Sequence, residues 1–388
     1  MKATISASVL CERRVKGSAQ RWGAALMVAL GACGPAEDGA TMPETDPRVV
    51  WSVAIPAPGN GTPIATDDRV VIAGDSGVAA YDARGGTLLW RTPVRVAGAN
   101  RGLVLHGARL FSAAVGGARA YDLATGALVW ERLMPQDAAL DATDAAADEK
   151  ALYIGTRDLR VLALDRESGQ PLWDVRVPRA DWHASTRQSV AGIVTSGDTV
   201  YAAVNRDLTV GAFESAVVLI AFDRSTGREL WRYQTEGKET GTDAAPALAG
   251  TMLVVGGARD GHSVAVDRFT QREVWRRDLY GFVWETPAVQ GGRIFLGTQA
   301  ARLYALDSST GQSVWETALE GGSTYQAVCG DKLVVENTAV ELFDAATGKK
   351  SGRKIGLAPD DFVSSGIAVS GNRAFFAGQR KLYAIRCD

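Results

Sequence analysis

A metal centre or a thiol nucleophile in this 388-residue chain would have to be built from His106, His183, His262, Cys11, Cys33, Cys329 and Cys387. Zinc sites need ligands in close pairs, and redox dithiols need Cys-x-x-Cys. The histidines are isolated, and no two cysteines are near neighbours. The spacing therefore predicts no metal site. Gly-x-Ser-x-Gly and phosphate-binding glycine loops are also missing. What remains is a flat ring beside an acid, Trp284-Glu285, with Asp243 as a second carboxylate. Such a set could stack on a planar ligand and steady a cation or a proton. It works only if a fold brings its members to one point.

The elements available for that are repeated. Asp82–Trp90 reads DARGGTLLW, and the same nine-residue pattern returns at Asp122–Trp130, Asp165–Trp173, Asp223–Trp231, Asp267–Trp275 and Asp307–Trp315. A seventh copy begins at Asp344 but has Gly352 where the Trp should stand. Each copy follows a short apolar run such as LYALD and leads into another around the Trp. That is strand, tight turn, strand. Asp bonds its own backbone two residues on, and Gly supplies a left-handed residue. Two further strand signals precede each turn, such as Ile294-Phe295-Leu296-Gly297 with Thr286-Pro287-Ala288-Val289 before it. Four short strands about every 40 residues make one propeller blade.

Eight such third strands predict an all-β, eight-bladed propeller of four-stranded blades over residues 48–388. Val49-Val50-Trp51-Ser52-Val53 is a Trp strand without a turn before it, and Leu382-Tyr383-Ala384-Ile385-Arg386 is a third strand without a Trp after it. The N-terminal strand is thus expected to complete the C-terminal blade, which removes two exposed sheet edges. Trp51, Trp90, Trp130, Trp173, Trp231, Trp275 and Trp315 are read as structural plates.

In a closed ring the starts of the first strands face the axis. There the sequence places Asn60, Arg101, Asp141, Asp144, Arg187, Asp243, Trp284, Glu285 and Tyr325. A polar channel mouth explains this set without a ligand, and that reading is preferred. The interval from Trp173 to Trp231 is longer than the others, with the extra residues in Val177–Gln188 and Asn205–Ala216. Loops carry function more often than strands, so Trp182, His183, Leu208, Val210 and Phe213 are the candidates for docking a partner. Cys329 and Cys387 fall at one face of neighbouring blades, which leaves both a disulfide and two separate thiols open. A net charge of -2 implies no basic face and hence no nucleic-acid partner.

Residues 1–33 read as an export signal peptide, with a basic start and a short apolar core, Gly23 to Leu30, too short to span a bilayer. They end in Leu30-Gly31-Ala32-Cys33, which resembles a bacterial lipobox and implies lipidation of Cys33. Gly34, rather than Asp, then favours the outer membrane. Residues 34–47 read as a flexible tether.

The pattern Asp-x-x-Thr-Gly-x-x-x-Trp at Asp122–Trp130, Asp223–Trp231 and Asp307–Trp315 resembles the pyrroloquinoline-quinone (PQQ)-like repeat. With the lipobox and eight blades, the chain is most similar to the BamB family of outer-membrane assembly lipoproteins. The resemblance implies a non-enzymatic scaffold in the bacterial envelope, facing the periplasm, that docks other envelope proteins through loops at one face and needs no cofactor. The same repeat builds quinoprotein dehydrogenases, which implies as an alternative an oxidoreductase with PQQ and calcium on the axis. A ligand-binding or sensory propeller is a third reading.

Overall fold

The computed structural model describes residues 46–388 except 57–60, 75, 95–102, 115, 135–144, 179–187, 208–214, 236–240, 243, 258–261, 324, 338 and 359–360. These residues belong to one compact unit, 42–388. It forms seven four-stranded antiparallel sheets and one three-stranded sheet. Inner strands meet around an axis: Ala288–Gln290 of blade six, for example, lies between Ala247–Ala249 of blade five and Gln326–Cys329 of blade seven.

The buried apolar side chains of the described residues fall into eight clusters, each shared by two adjacent blades. This is the packing consequence of period-two strands buried on both faces. Each sheet offers alternate residues to its two neighbours, so no blade has a core of its own. In blade one, Val71 and Ala73 pack toward Leu110 and Tyr121, while Val70 and Ile72 pack toward Phe375 and Leu382 of blade eight.

The ring closes as the loose strand ends require. Val49–Ala54 pairs antiparallel with Lys381–Arg386, with Trp51 opposite Ala384 and Val53 opposite Leu382. The Trp51 ring lies 6.0 Å from that of Phe375, the terminal blade's own core residue.

The repeat turn has one geometry throughout. In blade two the Gly126 N–H donates to the Asp122 carbonyl at 2.8 Å, and Asp122 N–H donates to the Ala127 carbonyl at 2.9 Å. Asp122 Oδ1 accepts from the Thr125 N–H and hydroxyl at 2.9 and 2.8 Å. Gly126 takes φ +72°, and Gln271, in the copy without Gly, takes φ +61°. These bonds stabilise the ionised carboxylate. Asp223 is held at about 2, first by the Ser225 and Thr226 hydroxyls.

The structure adds a second reason for the glycine. In six blades the Trp packs on the turn of the next. A Cβ on Gly126 would meet Cε3 of Trp90 at 2.3 Å, and one on Gly311 would meet Cδ2 of Trp275 at 2.6 Å. The indole N–H donates to a carbonyl in that same turn: Trp90 to Leu123 at 3.0 Å, Trp130 to Arg166 at 2.9 Å, Trp173 to Arg224 at 2.9 Å, Trp275 to Ser308 at 3.0 Å and Trp315 to Ala345 at 3.1 Å. Trp51 does the same across the closure, to Ala83 at 3.1 Å. Turn and Trp are therefore partners between repeats. Trp231 lies against Tyr201, with ring centroids 6.0 Å apart.

Blade seven departs from the four-stranded pattern. Its sheet holds Gln326–Cys329, Lys332–Glu336 and Val340–Asp344, and the fourth strand survives as two isolated bridges, Phe343 to Lys350 and Val340 to Ile355. This is the copy with Gly352 in place of Trp. Without the plate, the outer segment buries Ile355 in the core between blades seven and eight and forms no continuous strand.

Candidate functional site

The axial channel is assembled by every blade. Thr62, Leu103, Ala145, Ile193, Ala245, Glu285, Gln326 and Ile367 are among the residues that line a cavity of about 360 Å³. The inner strands bring them there because each begins beside the axis. Thr286 donates its hydroxyl to the Ala245 carbonyl at 3.3 Å, and Gln326 Nε2 donates to the Thr286 carbonyl at 3.3 Å. Gln326 Oε1 accepts from the Gly297 N–H at 3.1 Å. Blades five, six and seven are thus laced together at the axis by side chains that bond backbone groups.

Of the sequence candidates, Glu285 and Tyr325 line this channel. Trp284, beside Glu285, is 42% exposed. Asp243, Asn60, Arg101, Asp141, Asp144 and Arg187 lie outside the described residues, as do Cys33 and the docking candidates Trp182, His183, Leu208, Val210 and Phe213. Among the described residues no group of three or more His, Cys, Asp and Glu could hold a metal ion. A calcium ion takes six to eight oxygen ligands. The described lining offers one carboxylate and the hydroxyls of Thr62 and Tyr325, while its amide and the Thr286 hydroxyl are engaged as above. The described lining by itself does not supply that ligand set.

The face where outer strands end and inner strands begin carries two features that spacing alone did not show. In blade four the second strand, Thr199–Asp207, and the third, Ser215–Asp223, have nine residues each, against five or six in other blades. They stay paired to the end, with Asn205 opposite Val217 and Asp207 opposite Ser215. Part of the insertion therefore lengthens a hairpin, by roughly 10 Å at about 3.4 Å per residue. Where blade four meets the turn side of blade five, the Tyr233 hydroxyl donates to Glu273; burial and that carboxylate push the phenol up to about 12.

The second feature is the connection from blade five to blade six. Leu279 and Val283 are 5% and 1% exposed and join the core between those blades. Tyr280, Phe282 and Trp284 are 69%, 41% and 42% exposed. Hydrogen bonds hold this aromatic ridge: Tyr280 N–H to the Tyr304 hydroxyl at 3.2 Å, the Thr298 hydroxyl to the Tyr280 carbonyl at 2.8 Å, Gln299 N–H to the Phe282 carbonyl at 3.0 Å and Val283 N–H to the Gly257 carbonyl at 3.0 Å. The signal was present in the sequence, as aromatics set between two buried apolar residues.

At the opposite face Cys329 and Cys387 are joined as a disulfide, with Cα atoms 6.1 Å apart and both residues almost fully buried. It links blade seven to the blade that the N-terminal strand completes.

Comparison with known proteins separates fold from family. BamB of Moraxella catarrhalis superposes with a TM-score of 0.67 over 87% of this chain and 97% of its own, at 17% identity. The quinohemoprotein alcohol dehydrogenase ADHIIG of Pseudomonas putida HK5 superposes with a TM-score of 0.68 over 87% of this chain and 76% of its own, at 14% identity. Likeness at that level shows the propeller alone. In sequence, the outer membrane protein assembly factor BamB of Shewanella oneidensis is 24% identical over 290 residues, 72% of this chain and 69% of its own length. The profile of the family described as outer membrane protein assembly factor BamB matches residues 41–216 and 214–340, most of the chain. The chain belongs to that family of PQQ-repeat propellers.

Proposed function

We propose that this protein is a non-enzymatic scaffold, anchored to the bacterial outer membrane through a lipid on Cys33, that binds envelope proteins during outer-membrane protein assembly. The observation that carries the reading is the lengthened blade-four hairpin, on the same face as the Tyr280–Trp284 ridge. A rigid ring that projects one hairpin beside exposed aromatics is suited to docking. Family membership supports envelope proteins as the class of partner. The Leu30-Gly31-Ala32-Cys33 sequence supports the anchor, and a buried disulfide is compatible with the oxidising periplasm.

The test uses tagged full-length chain in its native envelope. Palmitate should label the protein and be lost in Cys33→Ser. Purification from solubilised membranes should recover assembly components, and replacing residues 208–213 with Gly-Ser should lose them while the melting curve stays unchanged. Recovery of the protein without lipid or protein partner, but with a bound small molecule, would overturn the scaffold reading.

A further inference from the structure

Six junctions in the ring are closed by a Trp–turn pair, and the junction of blades seven and eight has neither half of it. On the blade-seven side Gly352 stands at the Trp position. On the blade-eight side there is no turn, because that blade's outer strand is Val49–Ala54. Both halves of the pair are missing at the same place.

Register locates the vacated position. In blade six Leu306 faces Ser313, Ala305 faces Trp315 and Leu303 faces Thr317. In blade seven Phe343 meets Lys350, the equivalent of the first pair. Leu342 would then face an indole at 352, and Val340 would face Lys354. Val340 instead meets Ile355, so the chain bulges by one residue at Gly352–Arg353. Beside the bulge is a cavity of about 730 Å³, lined by Leu342 and Gly352 from one blade and Cys387 from the next, with Lys332, Arg353 and Lys354. Arg48 and Asp46, also in the lining, pair with each other at 2.8 Å. Lys332 and Lys354 hold Asp331 and Glu320 at 2.7 and 2.5 Å, while the Arg353 side chain is exposed.

The volume is within the range of about 300–1,000 Å³ typical of ligand sites. The vacated position has six counterparts in the ring, each holding an indole packed on a neighbouring blade's turn; here Arg48 borders it, with Nη1 3.5 Å from where a Cβ on Gly352 would stand and Nη2 donating to the Arg353 carbonyl at 2.7 Å. We infer that this cavity receives a tryptophan side chain from a partner protein, with an acidic residue beside it to meet Arg353. Tryptophan is among the residues enriched at interface hot spots, which sit in well-packed pockets. Here the pocket is left by a repeat that gave up its own. The inference does not rest on the outer-membrane role: the site is at the opposite side of the ring from the blade-four hairpin, and its failure would leave that reading untouched.

The test titrates full-length, disulfide-intact protein with the blocked tripeptide Glu-Trp-Glu carrying 5-fluorotryptophan, followed by fluorine NMR. Saturable binding is expected, at least 10-fold weaker for a Glu-Leu-Glu competitor. Ser351→Trp, which places an indole beside the cavity, should weaken binding at least 10-fold. Arg353→Glu, at an exposed position, should weaken it at least 3-fold and keeps the test decisive if Ser351→Trp does not fold. No saturable shift at millimolar peptide, or unchanged affinity in a folded variant, would overturn the site. Indole-3-propionate binding as tightly as the peptide would overturn the partner segment as occupant.

Discussion

Gly107→Ala and Gly126→Ala place the same methyl group on two left-handed glycines of one blade, with very different consequences. Gly107 has φ +58° and nothing within 4 Å of a new Cβ. Gly126 has φ +72° and would set its Cβ 2.3 Å from Cε3 and 2.5 Å from Cδ2 of Trp90. Both variants incur the left-handed penalty of an L-residue, about 1–2 kcal/mol. Only Gly126→Ala also forces the plate aside. Overpacking costs about 1–3 kcal/mol, and the Trp90 N–H bond to Leu123 adds about 1 kcal/mol if it breaks. Gly126→Ala should therefore be less stable than Gly107→Ala by about 2–4 kcal/mol, read as the shift in urea midpoint at constant slope. In a Trp90→Ala background the methyl has room, so the extra cost of Gly126→Ala should vanish. Equal destabilisation of the two variants, within about 0.5 kcal/mol, would refute the interlocking of repeats. An undiminished Gly126→Ala penalty without Trp90 would do the same.

Other expectations rest on the same structure. Deleting Val49–Ala54 removes the Trp51 plate and leaves Lys381–Arg386 as an open edge; the truncated protein should melt far below the full chain or aggregate, as calorimetry and light scattering will show. Reducing Cys329–Cys387, or replacing both with Ser, releases a constraint across 58 residues and should cost about 4 kcal/mol by the loop-entropy relation, read from denaturation with and without reductant. The carboxyls of Asp122, Asp165, Asp223, Asp307 and Asp344 are lowered first by hydrogen bonds from their own turns, and that of Asp267 first by the Thr251 hydroxyl and then by its turn. A lowered folded-state value contributes stability that is complete above the unfolded value and disappears as pH falls through the folded one. Stability should thus be flat above the ordinary carboxylate value of 3.8 and decline toward about 2, the Asp223 value. Asp223→Ala should make the acid limb shallower in a circular-dichroism titration.

Much of the fold was legible because it is local and repeated. Asp, Thr and Gly at constant spacing specify a turn through bonds within a few residues, and the same bonds appear in blades two and six. The imperfect copies carried as much as the perfect ones. Trp51 without a turn and Arg386 without a Trp predicted the closure, since two unpaired edges in one chain stabilise each other by pairing. The channel was only half legible. Its position followed from the starts of the first strands. Whether Glu285 and Trp284 act together depends on which way adjacent side chains of a connector turn, and that is set by Leu279 and Val283 entering the core between blades.

The sequence by itself determined the unit, the number of copies and the place where the ring closes. Those follow from hydrogen bonds and apolar alternation within about 40 residues. Tertiary structure alone decided what each Trp touches. Trp90 bonds Leu123 and Trp173 bonds Arg224, contacts that span 33 and 51 residues, so the turn glycine answers to the preceding repeat and not to its own. It also decided that the missing Trp of blade seven and the missing turn of blade eight meet at one cavity. No pattern in the chain marks that coincidence, because residues 48, 352 and 387 become neighbours only when the ring is shut.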